Sequence, residues 1–142
     1  MQIIRETLKV VTDQKQQFLD LTKQVRDVLK RHSVRDGIIL LNTLHTTTAL
    51  FINEIQPALL ADLRNLMARL VRERDGYFHN DPHYSDCDRG NATAHLRATL
   101  FGNNVALGVS DGELVLGQYQ GIIFAELDGP RERTLELQVL GA

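Results

Sequence analysis

Cysteine is nearly absent from this 142-residue chain, which contains only Cys87, and tryptophan is absent altogether. One cysteine cannot form an internal disulfide, and it cannot supply a zinc site built from several thiolates. Near the N-terminus, Arg5 and Glu6 interrupt the apolar segment that a signal peptide requires. These features predict a cytoplasmic protein.

The chain also lacks long apolar runs and concentrated positive charge. Aliphatic runs such as residues 38–41 are far shorter than the roughly 20 residues that span a bilayer. The formal net charge is −2, without the dense Lys and Arg clusters that attract nucleic acid or anionic lipid. No glycine-rich motif of the P-loop or dinucleotide-binding type occurs. We therefore expect no nucleic acid, no membrane and no nucleotide cofactor.

What is present predicts a single folded domain over residues 1–142. Hydrophobic residues make up 43% and charged residues 24%, which is the balance of a globular protein and not of a disordered one. Residues 2–11 alternate between apolar and polar side chains, as in a half-buried strand. An amphipathic helix capped by Thr12 or Asp13 is predicted next. Its apolar positions are Phe18, Leu21, Val25, Val28 and Leu29.

Two buried strands follow at residues 37–43 and 46–54, with His45 at their junction. A second helix is predicted to begin around Pro57 and to end at Gly76. Its apolar face contains Leu59, Leu60, Leu63, Leu66, Met67, Leu70 and Val71.

The C-terminal half contains a third helix and several strands. The helix is predicted over residues 91–102, where Asn91 is a possible cap and shares a face with His95. Strands follow, including a long one at residues 113–127 and a last one at residues 134–140. Paired strands separated by helices indicate an α+β fold and not a doubly wound sheet.

The polar stretch at residues 77–95 contains side chains that bind zinc and related ions. They are His79, His83, His95, Asp86, Cys87 and Asp88. Pro82 disfavours the helix that would place His79 and His83 on one face. A metal site in a loop and a simple solvated loop both remain open. Cys87 has no identifiable base, and we interpret it as a bystander thiol.

Three other positions allow both a functional and a structural interpretation. His45 precedes threonines whose hydroxyls could orient its ring or bind a phosphate oxygen, but it could also be a hydrogen-bonded residue at a strand end. Glu54 could act as a base or cap the helix that follows. Arg131 could bind a phosphate through two N–H groups, although its Asp-Gly-Pro-Arg segment is also an ordinary turn.

The ordered combination of motifs resembles the YjbQ family, whose members are described as secondary thiamine-phosphate synthase enzymes. The resemblance runs from HTTTALFINE at His45 through GNATAHLRATLFG to the C-terminal DGELVLGQYQGIIFAELDGPRER, and it covers nearly the whole chain. It implies an α+β fold with about three helices, in which a mixed sheet curls on itself like a sandwich. It also implies a homotrimer with a polar site near the subunit interfaces.

The implied activity joins hydroxymethylpyrimidine pyrophosphate to a thiazole phosphate and releases pyrophosphate. On this basis we predict that the catalytic residues are His45, Glu54 and His95. The predicted ligands of a divalent metal ion, zinc or magnesium, are His45, His79, His95 and Asp88. The predicted substrate contacts are Thr46, Thr47, Asn53, Asn91, Gln120, Glu126 and Arg131. His83 and Cys87 lie outside the shared pattern.

The family usually has tryptophan in a Gly-Thr-Trp-Gln segment, where this chain has Tyr119. The smaller ring implies a different substrate size or stacking. Two other functions remain open. One is a metal-dependent hydrolase of a small phosphorylated or cyclic metabolite, and the other is a homotrimer that binds a metabolite without turnover. If the histidines bind phosphate directly, no metal is required.

Overall fold

The computed structural model describes residues 1–142 and contains eight strands and three α-helices. The strands are β1 (Gln2–Val11), β2 (Gln17–Asp20), β3 (Gly37–Thr43), β4 (Thr48–Asn53), β5 (Asn104–Ser110), β6 (Glu113–Leu114), β7 (Gly121–Glu126) and β8 (Glu132–Gly141). The helices are α1 (Thr22–Arg31), α2 (Pro57–Leu70) and α3 (Ala92–Phe101), and Phe78–Asn80 forms a single 3-10 turn.

The strands form two sheets, one in the order β1-β8-β3-β5-β6 and the other in the order β2-β7-β4. Residues of both sheets share one hydrophobic core, so that the sheets cover each other. The prediction of an α+β fold with three helices and curled sheets is confirmed. One detail differs, because every strand pair is antiparallel and the sheets are not mixed.

The core between the sheets is built by alternate residues of the strands. On β8, Leu135 and Leu137 are fully buried, while Thr134, Glu136 and Gln138, which alternate with them, are half-exposed. Phe124 on β7 and Val25 on α1 meet them from the other side. Full burial of a side chain such as Phe124 contributes about 2–3 kcal/mol to stability. The last strand predicted from the sequence therefore exists and places its apolar residues in the core.

A second, smaller cluster covers the opposite face of the β7 sheet and positions α3. Small side chains meet there, with Ala49 and Ala125 on the strands and Ala94 and Ala98 on the helix. Small residues allow a helix to lie close to a sheet, and here they hold α3 against β4. The first turn of α3 consequently lies near the C-terminal end of β7, where the polar groups of the candidate site gather.

Helix α2 is amphipathic, but the chain leaves most of its apolar face uncovered. Only Met67 is buried, and Leu70 is 62% exposed. Leu66 and Leu70 are exposed, and Leu59 and Leu63 are half-buried. These four positions, which we call the leucine stripe, lie on one side of the helix at steps of three and four. No helix in the chain is long and apolar enough to cross a membrane.

Two predicted helix boundaries are wrong. Residues 17–20 form β2 and not the first turns of α1, because they pair with β7 and place the Phe18 ring edge-on to Phe51, with 6.3 Å between ring centroids. The apolar spacing alone cannot reveal that partner. Helix α2 ends at Leu70 and not at Gly76, because Val71 is already extended.

The predicted long strand at residues 113–127 is also wrong. It is divided into β6 and β7 by an irregular segment that exposes Tyr119. Within this segment the Gln120 side chain accepts a hydrogen bond from the Gly117 backbone N–H at 2.8 Å. That bond stabilises a turn in place of a continuous ladder.

A buried ion pair joins the two sheets at one end of the core. Arg133 on β8 donates from Nε to Glu126 Oε1 on β7 at 2.8 Å, and Thr12 donates to the same oxygen at 2.8 Å. Neither charged side chain is accessible to solvent. Burial alone would raise the pKa of Glu126, but the bonds from Arg133, the Asp128 N–H and Thr12 outweigh it and lower that pKa.

We expect Arg133→Met to destabilise the fold by about 3–5 kcal/mol, because it leaves the Glu126 carboxylate buried without its cation. The free energy of unfolding is measured by urea denaturation followed by circular dichroism. Glu132→Gln is the matched control, since the neighbouring Lys9–Glu132 pair is exposed at 3.6 Å and is worth less than about 1 kcal/mol. Equal losses in both variants would contradict the assigned role of the buried pair.

Candidate functional site

Two histidines from different parts of the chain meet beside the first turns of α3. His79 lies on the 3-10 turn and His95 on α3, and their rings form an edge-on pair with 4.7 Å between centroids. The Asn80 side chain accepts a hydrogen bond from the Ala92 N–H at 3.0 Å. This bond ties the 3-10 turn to the start of the helix and thereby holds His79 against His95.

Asn91 determines that Nε2 of His79 carries a proton. Its amide nitrogen donates to Asp128 Oδ2 at 2.9 Å, and its amide oxygen faces His79 Nε2 at 3.1 Å. A carboxylate only accepts, so the amide can have only this orientation, and Nε2 of His79 must carry a proton. Asn91 precedes α3 as predicted but does not cap it through its side chain, because that side chain is held by these two partners.

Asp128 is a buried carboxylate surrounded by three cations. Oδ1 accepts from Lys15 at 2.6 Å, and Oδ2 accepts from Arg131 at 2.9 Å and from Arg89 Nε at 3.1 Å. Burial alone would raise the pKa of Asp128, but the hydrogen bonds from Lys15, Asn91 and Arg89 outweigh it and hold that pKa far below its usual range. One negative charge therefore faces three positive ones.

Burial favours the neutral form of both His95 and His45. Burial lowers the pKa of His95 and the charge of His79 lowers it further, while Asp128 and the Thr46 backbone act in the opposite direction. Burial also lowers the pKa of His45, with a further contribution from Arg133. Neutral imidazoles are able to accept a proton or donate one hydrogen bond each.

His45 lies next to this centre and not within it. Its Nε2 accepts a hydrogen bond from the Thr134 N–H at 2.8 Å, so the proton of the neutral ring is on Nδ1. The ring lines a separate cavity of about 380 Å³, together with Thr46, Thr99 and Asn103. The Thr46 backbone contacts His95, and this loop therefore connects the cavity with the histidine pair.

Three predicted site residues lie at the far end of the sheet. Strands β4 and β7 pair from Thr48 opposite Glu126 at one end to Asn53 opposite Gly121 at the other. The histidines lie near the first end. The second end is next to Asn53, Glu54 and Gln120. Five steps along a strand correspond to about 16 Å. Glu54 and Gln120 line their own cavity of about 480 Å³ there. Within one chain they cannot act on the same bond as His95.

Two further predicted substrate contacts are engaged inside the protein. The Thr47 hydroxyl accepts from Arg133 Nη2 at 2.9 Å, and Glu126 is held by Arg133 and Thr12. Both side chains are buried beneath Asp128 and support the site instead of lining it. Arg131, by contrast, is partly exposed, and its guanidinium contacts Asp128 through Nη2 only.

The four predicted metal ligands do not converge in one chain. No group of three or more His, Cys, Asp or Glu side chains is arranged to hold a metal ion. Nε2 of His45 and Nε2 of His79 are both engaged in hydrogen bonds, and Asp88 is exposed with no bond to any of the histidines. The single chain therefore does not fit the metal ion, and metal binding stays a prediction.

Four side chains that organise the centre were not predicted from the sequence: Asp128, Asn80, Lys15 and Arg89. Asp128 was visible only as part of an Asp-Gly-Pro-Arg turn, although it follows a strongly apolar strand. Asn80 adjoins His79 in a polar loop, where a helix-tethering amide has no sequence signature. Lys15 and Arg89 are ordinary surface residues by sequence, because only the fold brings them to Asp128.

A family model described as "UPF0047 protein YjbQ-like" matches residues 6–142. The chain belongs to this YjbQ-like family. A UPF0047 protein of Archaeoglobus fulgidus is 42% identical over 133 residues, which are 94% of this chain and 98% of the relative. The UPF0047 protein YugU of Bacillus subtilis is 31% identical over 96% of this chain and 98% of its own. The predicted membership is confirmed.

Solved structures of YjbQ-like proteins have the same fold. A YbjQ-like protein of unknown function from Sulfolobus solfataricus superposes with a TM-score of 0.90 at 30% identity, covering 99% of each chain. A hypothetical protein from Aeropyrum pernix gives 0.89 at 34% identity, covering 98% of this chain and 99% of the other. None of these names states an activity, so the function of this YjbQ-like chain must be argued from its site.

We expect His79→Asn to raise the pKa of His95, because the substitution removes the charge that disfavours protonation of the second ring. The pKa is measured by NMR titration of the histidine ring signals. His83→Asn is the matched control, since His83 lies in the same loop but is exposed and contacts only Asp81. An unchanged pKa of His95 in His79→Asn would show that the rings do not interact.

Proposed function

We propose that this protein is a small-molecule enzyme with thiamine phosphate synthase-type activity, as its main or a side reaction. It would join hydroxymethylpyrimidine pyrophosphate to a thiazole phosphate and release pyrophosphate. The observation that carries the proposal is the surplus of positive charge around Asp128, next to two contacting histidines. The family resemblance supplies the reaction, and the charge distribution supplies the physical argument for an anionic substrate.

The local charges give a net positive site. Glu126 and Arg133 neutralise each other within the core. Asp128 carries one negative charge against Lys15, Arg89 and Arg131, which leaves two positive charges in excess. Lys15 and Arg89 are at least half exposed, so that they remain accessible to a second anion. A phosphate or pyrophosphate group matches this surplus in charge and in hydrogen-bonding capacity.

The chemistry of the proposed reaction requires such a surplus. The thiazole nitrogen forms a bond to the methylene carbon of the pyrimidine, while the bond from that carbon to the pyrophosphate oxygen breaks. Negative charge grows on the departing pyrophosphate, and fixed cations stabilise it most strongly where water is excluded. Arg131 would bind the leaving group, and His45 would donate from Nδ1–H to a phosphate oxygen. Neutral His95 would orient the substrate through a single hydrogen bond.

We propose that the protein acts as a homotrimer, with sites completed between subunits. Two observations support this assembly. The leucine stripe of α2 has no partner in the chain, and exposed apolar stripes of this kind mark subunit interfaces. Glu54 and Gln120 lie about 16 Å along the sheet from the histidine end. A cyclic head-to-tail assembly can place one end of a subunit against the opposite end of the next.

We expect Leu66→Glu to dissociate the assembly, because it puts a charge in the middle of the leucine stripe. Size-exclusion chromatography with light scattering measures the mass, which should fall from that of a trimer to that of a monomer. Ala68→Glu introduces the same charge two residues further along, on the opposite side of α2, and should leave the trimer intact. A folded Leu66→Glu protein that remains trimeric would contradict the proposed interface.

We expect His95→Ala and His45→Ala to lower kcat/KM for pyrophosphate release by about 10²-fold or more, which is the usual loss when a catalytic side chain is removed. Circular dichroism verifies that the variants fold, and His83→Ala should retain full activity. Release must require both substrates. Phosphate release without the thiazole would identify a hydrolase, and tight binding without turnover would identify a metabolite-binding protein.

The same protein preparations test whether a divalent metal ion is required for activity. Metal content is measured by mass spectrometry before and after chelation, together with turnover. Loss of activity on chelation and its recovery with zinc or magnesium would establish the predicted cofactor and require ligands from more than one subunit. Full activity in metal-free protein would show that cationic side chains and histidines bind the phosphates directly.

A further inference from the structure

A cavity of about 490 Å³ lies on the side of α3 that faces away from His95. It is bordered by α2, by the first turns of α3 and by the connection between β1 and β2. The side chains that carry the argument are Lys15, Arg64, Glu73, Thr93 and Arg97. Thr93 and Arg97 are each two positions from His95, which places them about 200° around the helix from it.

Arg97 is buried without a full set of partners. Its side chain is only 5% exposed, yet its one short hydrogen bond goes from Nη2 to the Val71 carbonyl at 2.7 Å. Nε is the only buried side-chain nitrogen or oxygen in the protein that lacks a hydrogen-bond partner. A guanidinium has five N–H donors, and leaving them unpaired in a buried position is costly. An additional acceptor would remove that cost.

The charges around the cavity do not cancel. Lys15, Arg64 and Arg97 contribute three positive charges, and Glu73 contributes one negative charge. Glu73 lies 3.5 Å from Arg97 but is 70% exposed, so that water screens the pair. Lys15 also contacts Asp128 at 2.6 Å, which neutralises part of its charge. The remaining charge is positive and favours an anion.

The start of α3 adds hydrogen-bond donors to the same cavity. The Asn91 side chain is turned toward Asp128 and does not cap the helix. The Ala92 N–H donates to Asn80 and the Ala94 N–H donates to the Asn91 carbonyl at 3.1 Å, which leaves the Thr93 N–H as the open donor of the first turn. The Thr93 hydroxyl makes no hydrogen bond within the chain and lines the cavity. Uncapped N–H groups at a helix N-terminus and the helix dipole both favour a bound anion.

We propose that this cavity binds a small oxyanion, such as phosphate or the phosphate group of a metabolite. The Arg97 guanidinium is the main donor, because it has five N–H groups and only the Val71 carbonyl accepts from it at hydrogen-bond distance. The Thr93 hydroxyl and the first turn of α3 contact the remaining oxygens, while Lys15 and Arg64 supply long-range attraction. The site lies across α3 from the histidine pair, although Lys15 and Asn91 border both, and it does not depend on the proposed reaction.

The experiment titrates the whole protein with inorganic phosphate at constant ionic strength. Isothermal calorimetry measures the Kd, and NMR follows the Thr93 amide and the Arg97 Nε–H to locate the ligand. We expect saturable binding that shifts both signals. Arg97→Gln should weaken binding at least about tenfold, because it removes the charged fork. Arg97→Lys should be intermediate, since it retains the charge but not the fork.

Arg69→Gln is the matched control, because it removes one positive charge from an exposed position on α2 outside the cavity. Its Kd should equal that of the wild type. If Arg97→Gln fails to fold, Thr93→Val provides a second test and should weaken binding severalfold. His95→Ala should still bind phosphate here, so that failure of the proposed catalysis and failure of this site are distinguishable.

Three results would overturn the proposal. The first is the absence of saturable phosphate binding to the wild type. The second is a folded Arg97→Gln or Thr93→Val protein with an unchanged Kd. The third is an equal loss of affinity in Arg69→Gln and Arg97→Gln, which would show that phosphate responds only to overall charge.

Discussion

The buried ion pair between Arg133 and Glu126 is the constraint on which the rest of the site depends. A buried charge is tolerated only when its partner is held in place, and here the two partners come from different sheets. Thr12 and Thr47 complete the hydrogen bonds of the pair. The relative position of the two sheets at this end of the core is thereby restricted to one arrangement.

The geometry of the histidine site follows from that pair through a short chain of bonds. Glu126 accepts a hydrogen bond from the backbone N–H of Asp128 at 3.1 Å, which orients the Asp128 carboxylate. Asp128 in turn holds the amide of Asn91, and that amide sets the protonation of His79. The sheets and α3 are rigid elements, so that each hydrogen bond in this series fixes the orientation of the next side chain. The buried ion pair is thus connected, through Asp128 and Asn91, to the hydrogen bond that places a proton on Nε2 of His79.

Electrostatics connects the two proposed binding sites without making them equivalent. Lys15 contacts Asp128 beside the histidines and also lines the Arg97 cavity on the opposite side of α3. Both regions carry more positive than negative charge, although the chain as a whole has a formal net charge of −2. Local surpluses of positive charge of this kind are the physical basis of both proposed anion sites in a slightly acidic protein. The leucine stripe of α2 is the surface on which the proposed assembly rests.

The sequence by itself determined the family, the α+β class and most of the helices and strands. Hydrophobic periodicity and turn residues are properties of neighbouring positions in the chain, and they can therefore be recognised without the fold. It also led to the prediction that His79, His95 and Asn91 are site residues, and the fold brings these three side chains together. Only the tertiary structure decided that residues 17–20 form a strand, that Asp128 gathers three cations and that Glu54 lies far from His95. These features arise from contacts between residues distant in the chain, and such contacts depend on packing that no local pattern encodes.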